Sequence, residues 1–371
     1  MNKASAILIV LLSAGVPLAA QDHPAGARIP VKDGEALRVD GPFTHDNLSI
    51  YILFRKEMPA AQAQYITLEE GIRSGLVTVT EAPRAQVQQL LITNSSDRRL
   101  FLQIGELVHG GRQDRTLQTS LVIPPKTTDA PIPSFCVEQT RWSGGKEFAA
   151  EGKIAPKGVQ MAISARSQDG VWRSVEGYKR QARAAMKEAP DSSRTSSINE
   201  ELSSREFRKL TGEYESALGR APGRYSFPVG VVCAVNGEIS TADLYHAGGL
   251  FKSLFFKLLS SAATEAAANP AGGVKKFTPP TLREVSDFLA GAWDGQRQEE
   301  RLGLGNVSVR ITSSRAYNNE LYFENEWIHS HVMKKETGII VPVPPPRPIP
   351  VPIPRPPMPP RPMSEPMPRD P

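Results

Sequence analysis

The sequence predicts an α+β fold: a mainly antiparallel β-sheet with several packed helices, followed by a disordered Pro-rich C-terminal tail. Strand-like runs fill the first part of the chain, amphipathic helical patterns occupy the middle, and strands return at the end. This segregation argues against a doubly wound sheet, in which strands and helices alternate. The runs "LSIYILF" (48–54), "LVTVTE" (76–81), "VQQLLITN" (87–94) and "LFLQI" (100–104) read as strands, and "TSLVIPP" and "IPSFCVE" extend the series. "NSSDRR" reads as a loop, and "VHGG" as a tight turn in which glycine accepts positive φ.

In "SQDGVWRSVEGYKRQARAAMK", Val171, Val175 and Tyr178 recur at helical intervals, and "INEELSSREFRKLTGEYESAL" reads as a second amphipathic helix. "FPVGVVCAVNGEIS" returns to a strand, with Asn236-Gly237 as a hairpin signal. Leu250, Leu254, Leu258 and Ala262 line one face of a helix in "LFKSLFFKLLSSAATEAAA". A shorter helix, "LREVSDFLAGA", precedes the closing strands "NVSVRIT" and "ELYFENEWIHSHV".

The two ends of the chain differ from this body. Residues 1–20 begin with Asn2 and Lys3, continue as a short apolar run broken at Pro17, and finish in small residues before Gln21. That is the pattern of a secretory signal peptide, shorter than the roughly 20 apolar residues of a membrane span. No later stretch is long and apolar enough to span, so the mature protein is expected in the periplasm or outside the cell. Residues 338–371 form a proline-rich tail, where proline fixes φ and removes donors. Polyproline II is its expected state, reaching on the order of 90 Å over thirty residues. Its recurring Arg347, Arg355, Arg361 and Arg369 suit an anionic envelope polymer or a proline-reading partner, unless the tail is a solvated spacer. Residues 21–337 are expected to form a single α+β domain.

Composition narrows the function. A net charge of +5 over 371 residues is small and dispersed, which excludes a nucleic-acid binder with a concentrated basic element. Cys136 and Cys233 are too few for a disulfide scaffold; export permits one bridge between them, and burial as free thiols is the other outcome. "GLG" at 303–305 lacks the strand-glycine-helix setting of a phosphate loop, and no nucleophile elbow or zinc-protease helix is present.

Chemistry-bearing residues concentrate in "GELVHGGRQDRT" (105–116) and "CVEQTRW" (136–142). Gly105-Glu106, Gly111, Gln113 and Arg115, then Cys136 to Gln139, Arg141 and Trp142, resemble the ARG and Rhodanese-Phosphatase-superfamily-associated protein domain family. ARG denotes ADP-ribosylglycohydrolase. "GVVCAVNGEISTADLYHAGGLFKSLFFKLLSSAATEA" and "EWIHSHV" resemble that family's later strand, helix and final histidine, so the likeness covers nearly all the chain except the tail. The resemblance implies ADP-ribose or NAD-linked gene neighbours and no defined activity or cofactor.

The residues themselves support two readings. In the first, Gln113, Arg115, Arg141, Trp142 and Cys136 bind an unknown polar or anionic small molecule, and the chain is a ligand- or partner-binding module. In the second, Glu106 and Glu138 serve as acid and base of a hydrolase or transferase, with Arg115 and Arg141 holding an anionic, ADP-ribose- or nucleotide-like substrate. "GELVHGGRQDRT" is expected to form a strand-turn-strand hairpin beside "CVEQTRW", gathering Glu106, Gln113, Arg115, Glu138 and Arg141 at one end of the sheet. An ion-pair network closing that end is the structural alternative. Cys136 shares a strand face with Glu138, which disfavours a thiolate. His329 and His331, two apart on a strand, have metal-ligand spacing and need a third ligand from His109, Asp114 or His246.

Overall fold

The computed structural model describes residues 37–55, 63–82, 88–139, 141, 144–186, 197–270 and 277–335. Residues 1–20, expected to be a signal peptide, the proline-rich residues 338–371 and Trp142 lie outside them. The chain opens with the hairpin β1 (Leu37–His45) and β2 (Leu48–Arg55), then β3 (Tyr65–Thr67). Helix α1 (Leu68–Arg73) starts at a capping box in which Thr67 and Glu70 satisfy each other's backbone N–H groups. A run of short strands follows: β4 (Val77–Glu81), β5 (Gln89–Asn94), β6 (Arg99–Leu102), β7 (Glu106–Gly110) and β8 (Arg115–Leu117). It ends with β9 (Leu121–Ile123), β10 (Thr127–Cys136) and β11 (Phe148–Ile154).

Helices α2 (Lys157–Ser164), α3 (Gln168–Met186), α4 (Ile198–Ser203) and α5 (Arg205–Leu218) form the middle. The single helix expected over "INEELSSREFRKLTGEYESAL" is therefore two. Ser204 turns extended, with ψ 145°, and its hydroxyl accepts from the Phe207 N–H to cap α5. Serine competes for backbone partners in this way wherever a cap is available. β12 (Phe227–Val235) and β13 (Glu238–Tyr245) pair through Asn236-Gly237, at φ 54° and 80°, the left-handed pair a two-residue hairpin needs. Helices α6 (Gly248–Ala268) and α7 (Leu282–Ala292) then lead to β14 (Gln296–Gly303), β15 (Asn306–Thr312), β16 (Ala316–Phe323) and β17 (Glu326–Lys334).

These strands make an eight-stranded antiparallel sheet in the order β1-β2-β12-β13-β17-β16-β15-β14. A six-stranded sheet runs β11-β7-β8-β10-β5-β4, and its outer strands meet at a Thr80–Glu147 bridge, so its edges close on each other. In the small β3-β6-β9 sheet the β3–β6 pair is parallel. The α+β prediction holds.

The large sheet is covered on both faces. Leu48, Ile50 and Ile52 of β2 pack with α3, α5 and α6, whereas Tyr51 and Leu53 pack with Val285, Phe288 and Leu289 of α7. Alternation along one strand thus serves two cores. A third core fills the six-stranded sheet with Val79, Leu90, Ile92, Val108, Leu117 and Ile132. No helix among the described residues is long and apolar enough to cross a membrane.

Candidate functional site

β7 and β8 pair antiparallel, with Leu107 opposite Thr116 and Val108 opposite Arg115. The glycines are required because β11 lies against the turn. A Cβ at Gly110 would sit 2.6 Å from the Glu147 carbonyl oxygen, and one at Gly111 would sit 2.1 Å from the Phe148 ring. The turn delivers Asp114, fully buried, to a set of donors. Its carboxylate accepts from Ser197 Oγ (2.5 Å), Asn199 Nδ2 (2.9 Å), the Gly110 N–H (3.0 Å) and Arg141 Nη2 (2.8 Å), and His109 Nδ1 lies 2.9 Å away. Burial works against the charge, yet the Ser197, Asn199, His109 and Gly110 bonds outweigh it and hold this carboxyl below the usual range.

Arg141 joins the hairpin to the segment after β10. Its Nε donates to both oxygens of Glu138 (3.2 and 3.0 Å), and its Nη groups reach the Gly111 and Gly110 carbonyls (3.0 and 3.2 Å). Glu138, 1% exposed, also accepts from the Asp114 N–H (3.2 Å). Gln113 Nε2 donates to the Glu138 carbonyl at 2.9 Å. Gln113, Glu138 and Arg141 are thus brought together as expected, within a network that satisfies itself.

Two members of the expected cluster lie elsewhere. Glu106 sits at the opposite end of β7, where it pairs with Lys257 of α6 and accepts from the Gln103 N–H (2.8 Å). A five-residue strand separates its ends by about 13 Å, so Glu106 does not join the side chains gathered at the turn. Arg115 does not reach Glu106 or Glu138. It turns into the six-stranded sheet at 1% exposure, donates to the Gln113 carbonyl (2.7 Å) and lies 3.4 Å from Glu81 Oε1.

Cys136 ends β10, its backbone N–H and C=O held by the Gln168 side chain at 2.9 and 2.8 Å. Burial pushes its thiol up to about 11, against the pull of Arg115 and with help from Glu81 and Glu138. Cys136 and Cys233 are both free and buried, so the bridge considered between them does not form.

His329 and His331 project from one face of β17 onto a single acceptor, Asp243 Oδ1, at 3.1 and 2.8 Å. Gln103 Nε2 donates to the same oxygen (2.9 Å), Tyr245 OH donates to Gln103 Oε1 (2.8 Å), and the Ser120 hydroxyl lies 3.1 Å from His329 Nδ1. The His329 ring stacks on Tyr245 with centroids 4.6 Å apart. Burial lowers the His329 pKa; Asp243 is held low by both histidines in spite of its own burial. The third ligands considered for a metal are remote from this acceptor: His109 bonds Asp114, and His246 lies 3.2 Å from Glu326. Among the described residues no group of three His, Cys, Asp or Glu side chains is arranged to hold a metal ion.

A cleft of about 300 Å³ opens between β11 and helices α4, α5 and α6. Glu151 and Lys153 line it from β11, Arg208 and Glu215 from α5, and Ser260 and Thr264 from α6. A hydrogen-bonded path connects it to the hairpin: Asn199 bonds Asp114, Ser203 Oγ donates to the Asn199 carbonyl (2.7 Å), and Ser203 also meets Glu151 (3.2 Å) and Lys153. Sequence reasoning missed this cleft and the Asp243 group. The one available signal was Asp243 itself, a lone charge inside the otherwise apolar second half of "EISTADLY".

No curated protein and no solved structure matches the chain. A family model matches residues 36–333, well over half of it, including the hairpin, the Arg141 segment and both histidines. On that match, the chain belongs to the family of the ARPP-1 domain, the ARG and Rhodanese-Phosphatase-superfamily-associated Protein domain.

Proposed function

We propose that this chain is an exported ligand-binding module, holding a small polar ligand in the cleft beside β11 with the hairpin network as its scaffold. One observation carries the reading: the cleft is open and lined by charged and hydroxyl groups, while the charged residues of the hairpin are spent on one another. A cleft of this size, with a few convergent polar groups, is where a small ligand is expected. Export rests on the leader-like residues 1–20. The tail at residues 338–371 spaces or tethers the folded part, with an anionic polymer or a proline-reading protein as its partner.

Catalysis by Glu106 or Glu138 has less support. Both are buried and paired, at 2% and 1% exposure, and an acid or base must come within hydrogen-bonding reach of its substrate. The test is a thermal-shift screen of the purified protein against ADP-ribose, nucleotides, cell-wall fragments and divalent metals. A ligand at 100 times its Kd adds about 2.7 kcal/mol to native stability, a clear upward shift. Turnover of ADP-ribose or a nucleotide, lost in Glu138→Gln, would overturn the binding-module reading. Mass spectrometry of the exported protein is expected to find an N-terminus at Gln21.

A further inference from the structure

The cleft contains two pairs of opposite charges, and only one pair is internally matched. Lys153 bonds Glu151 and Ser203, so those side chains neutralise each other on the β11 wall. Opposite them, Arg208 and Glu215 stand on the same helix and line the same cleft. Among the described residues, neither the Arg208 guanidinium nor the Glu215 carboxylate makes a hydrogen bond or ion pair. Seven residues separate them, which places both on one helix face at an axial distance of about 10 Å. They do not pair with each other and remain available to a third party.

Helix α5 is also charged against its own dipole. Its first half carries three bases, Arg205, Arg208 and Lys209, against one acid, Glu206, and its second half carries Glu213 and Glu215, whereas a helix is stabilised by acids at its start and bases at its end. A ligand that brings a carboxylate to the Arg208 end and an ammonium to the Glu215 end matches both the side chains and the dipole.

We infer that the cleft binds a zwitterionic ligand of the short-peptide class, its free carboxylate on Arg208 and its free ammonium on Glu215. This rests on the reading of the cleft as the ligand site. A single amino acid is too short to touch both charges; an extended tripeptide spans on the order of 10 Å and fits. Ser260 and Thr264, one turn apart on α6, line the same cleft, and their hydroxyls suit the amide groups of such a chain. Ile154, Leu202 and Phe207 supply apolar surface for small side chains.

The experiment is calorimetric titration of the purified protein with Ala-Ala-Ala, its N-acetyl and C-amide forms, and free alanine. The free tripeptide is expected to bind, with each blocked form and free alanine at least tenfold weaker. Arg208→Gln removes the preference for the free carboxylate and leaves the preference for the free amine; Glu215→Gln does the reverse. Thermal melts of both variants close to the parent protein establish that they fold. Equal binding of free and blocked tripeptides, or no binding of the free form, overturns the peptide assignment. If a nucleotide or saccharide then binds and Arg208→Gln abolishes it, the cleft remains the ligand site and only the ligand class was wrong. If every ligand found binds Arg208→Gln and Glu215→Gln as it binds the parent, the cleft reading fails as well.

Discussion

Two buried aspartates organise the polar interior of this protein, and their surroundings differ in one respect. Asp243 is sealed: its oxygen takes donors from Gln103, His329 and His331, all of them buried. Asp114 takes at least as many donors, yet two of them, His109 and Arg141, are 48% and 28% exposed. The chemistry is similar in both places, a carboxylate kept ionised by concentrated hydrogen bonding. Its consequences diverge with burial, because an uncompensated charge costs far more where water cannot enter. The sealed group ties the large sheet to the Gln103 segment between β6 and β7, while Asp114 is joined to the open cleft through Asn199 and Ser203.

The largest effect is expected next to the sealed group. Lys257→Met leaves Glu106 buried without its cation, and a loss of about 3–5 kcal/mol is expected by urea denaturation. A loss below 1 kcal/mol would show that water reaches Glu106. Arg115→Ala is next, at about 3 kcal/mol, since it strips Glu81 and the Gln113 carbonyl of a buried partner. A nearly neutral result, combined with lost ligand binding, would return Arg115 to the ligand site.

pH separates the two regions further. An unfolded histidine takes up its proton near pH 6.5, whereas burial keeps folded His329 neutral below that value. The unfolded chain therefore binds more protons there, and stability falls as pH drops below about 6.5. Asp114 and Asp243, both held low, add a second loss below about pH 4, where unfolded carboxylates protonate. Urea midpoints at pH 5 and pH 8 test the first loss, and equal midpoints would refute it. In the native state at neutral pH, Cys136 is expected to alkylate slowly and to react at the rate of a free thiol once unfolded. The smallest effect belongs to the open region: Arg208→Gln is expected to leave the melting temperature within a degree or two of the parent, since exposed groups away from buried networks contribute little.

How much of this was legible in the sequence follows the same division between local and distant. Helix α6 could be read from Leu250, Leu254, Leu258 and Ala262, all buried, and the β12–β13 hairpin from Asn236-Gly237, because each signal lies within a few residues. Strand β14 was unreadable: "QRQEERLG" has no apolar alternation, and its place in the sheet comes from pairing along its length with β15. At the site, Gln113, Glu138 and Arg141 were found because two short loops carry them. Glu106 falls apart from them because residues close in sequence but at opposite ends of a strand are far apart in space. Asp243, Gln103, Ser120 and Lys257 were missed because each stands alone in its own segment, and only the packing of β13, β17 and α6 brings them together.

The composition of β14 has one more consequence. As the outermost strand of the eight-stranded sheet it offers a row of backbone groups to any passing chain. Arg297, Glu299, Glu300 and Arg301 cover that row with charges of both signs, so a stranger's strand would have to strip their water before it could pair. In the smaller sheet the Thr80–Glu147 bridge meets the same problem in part, by joining β4 to the residue before β11. A strand that looks like surplus surface thus carries the charges that discourage pairing with another chain's strand.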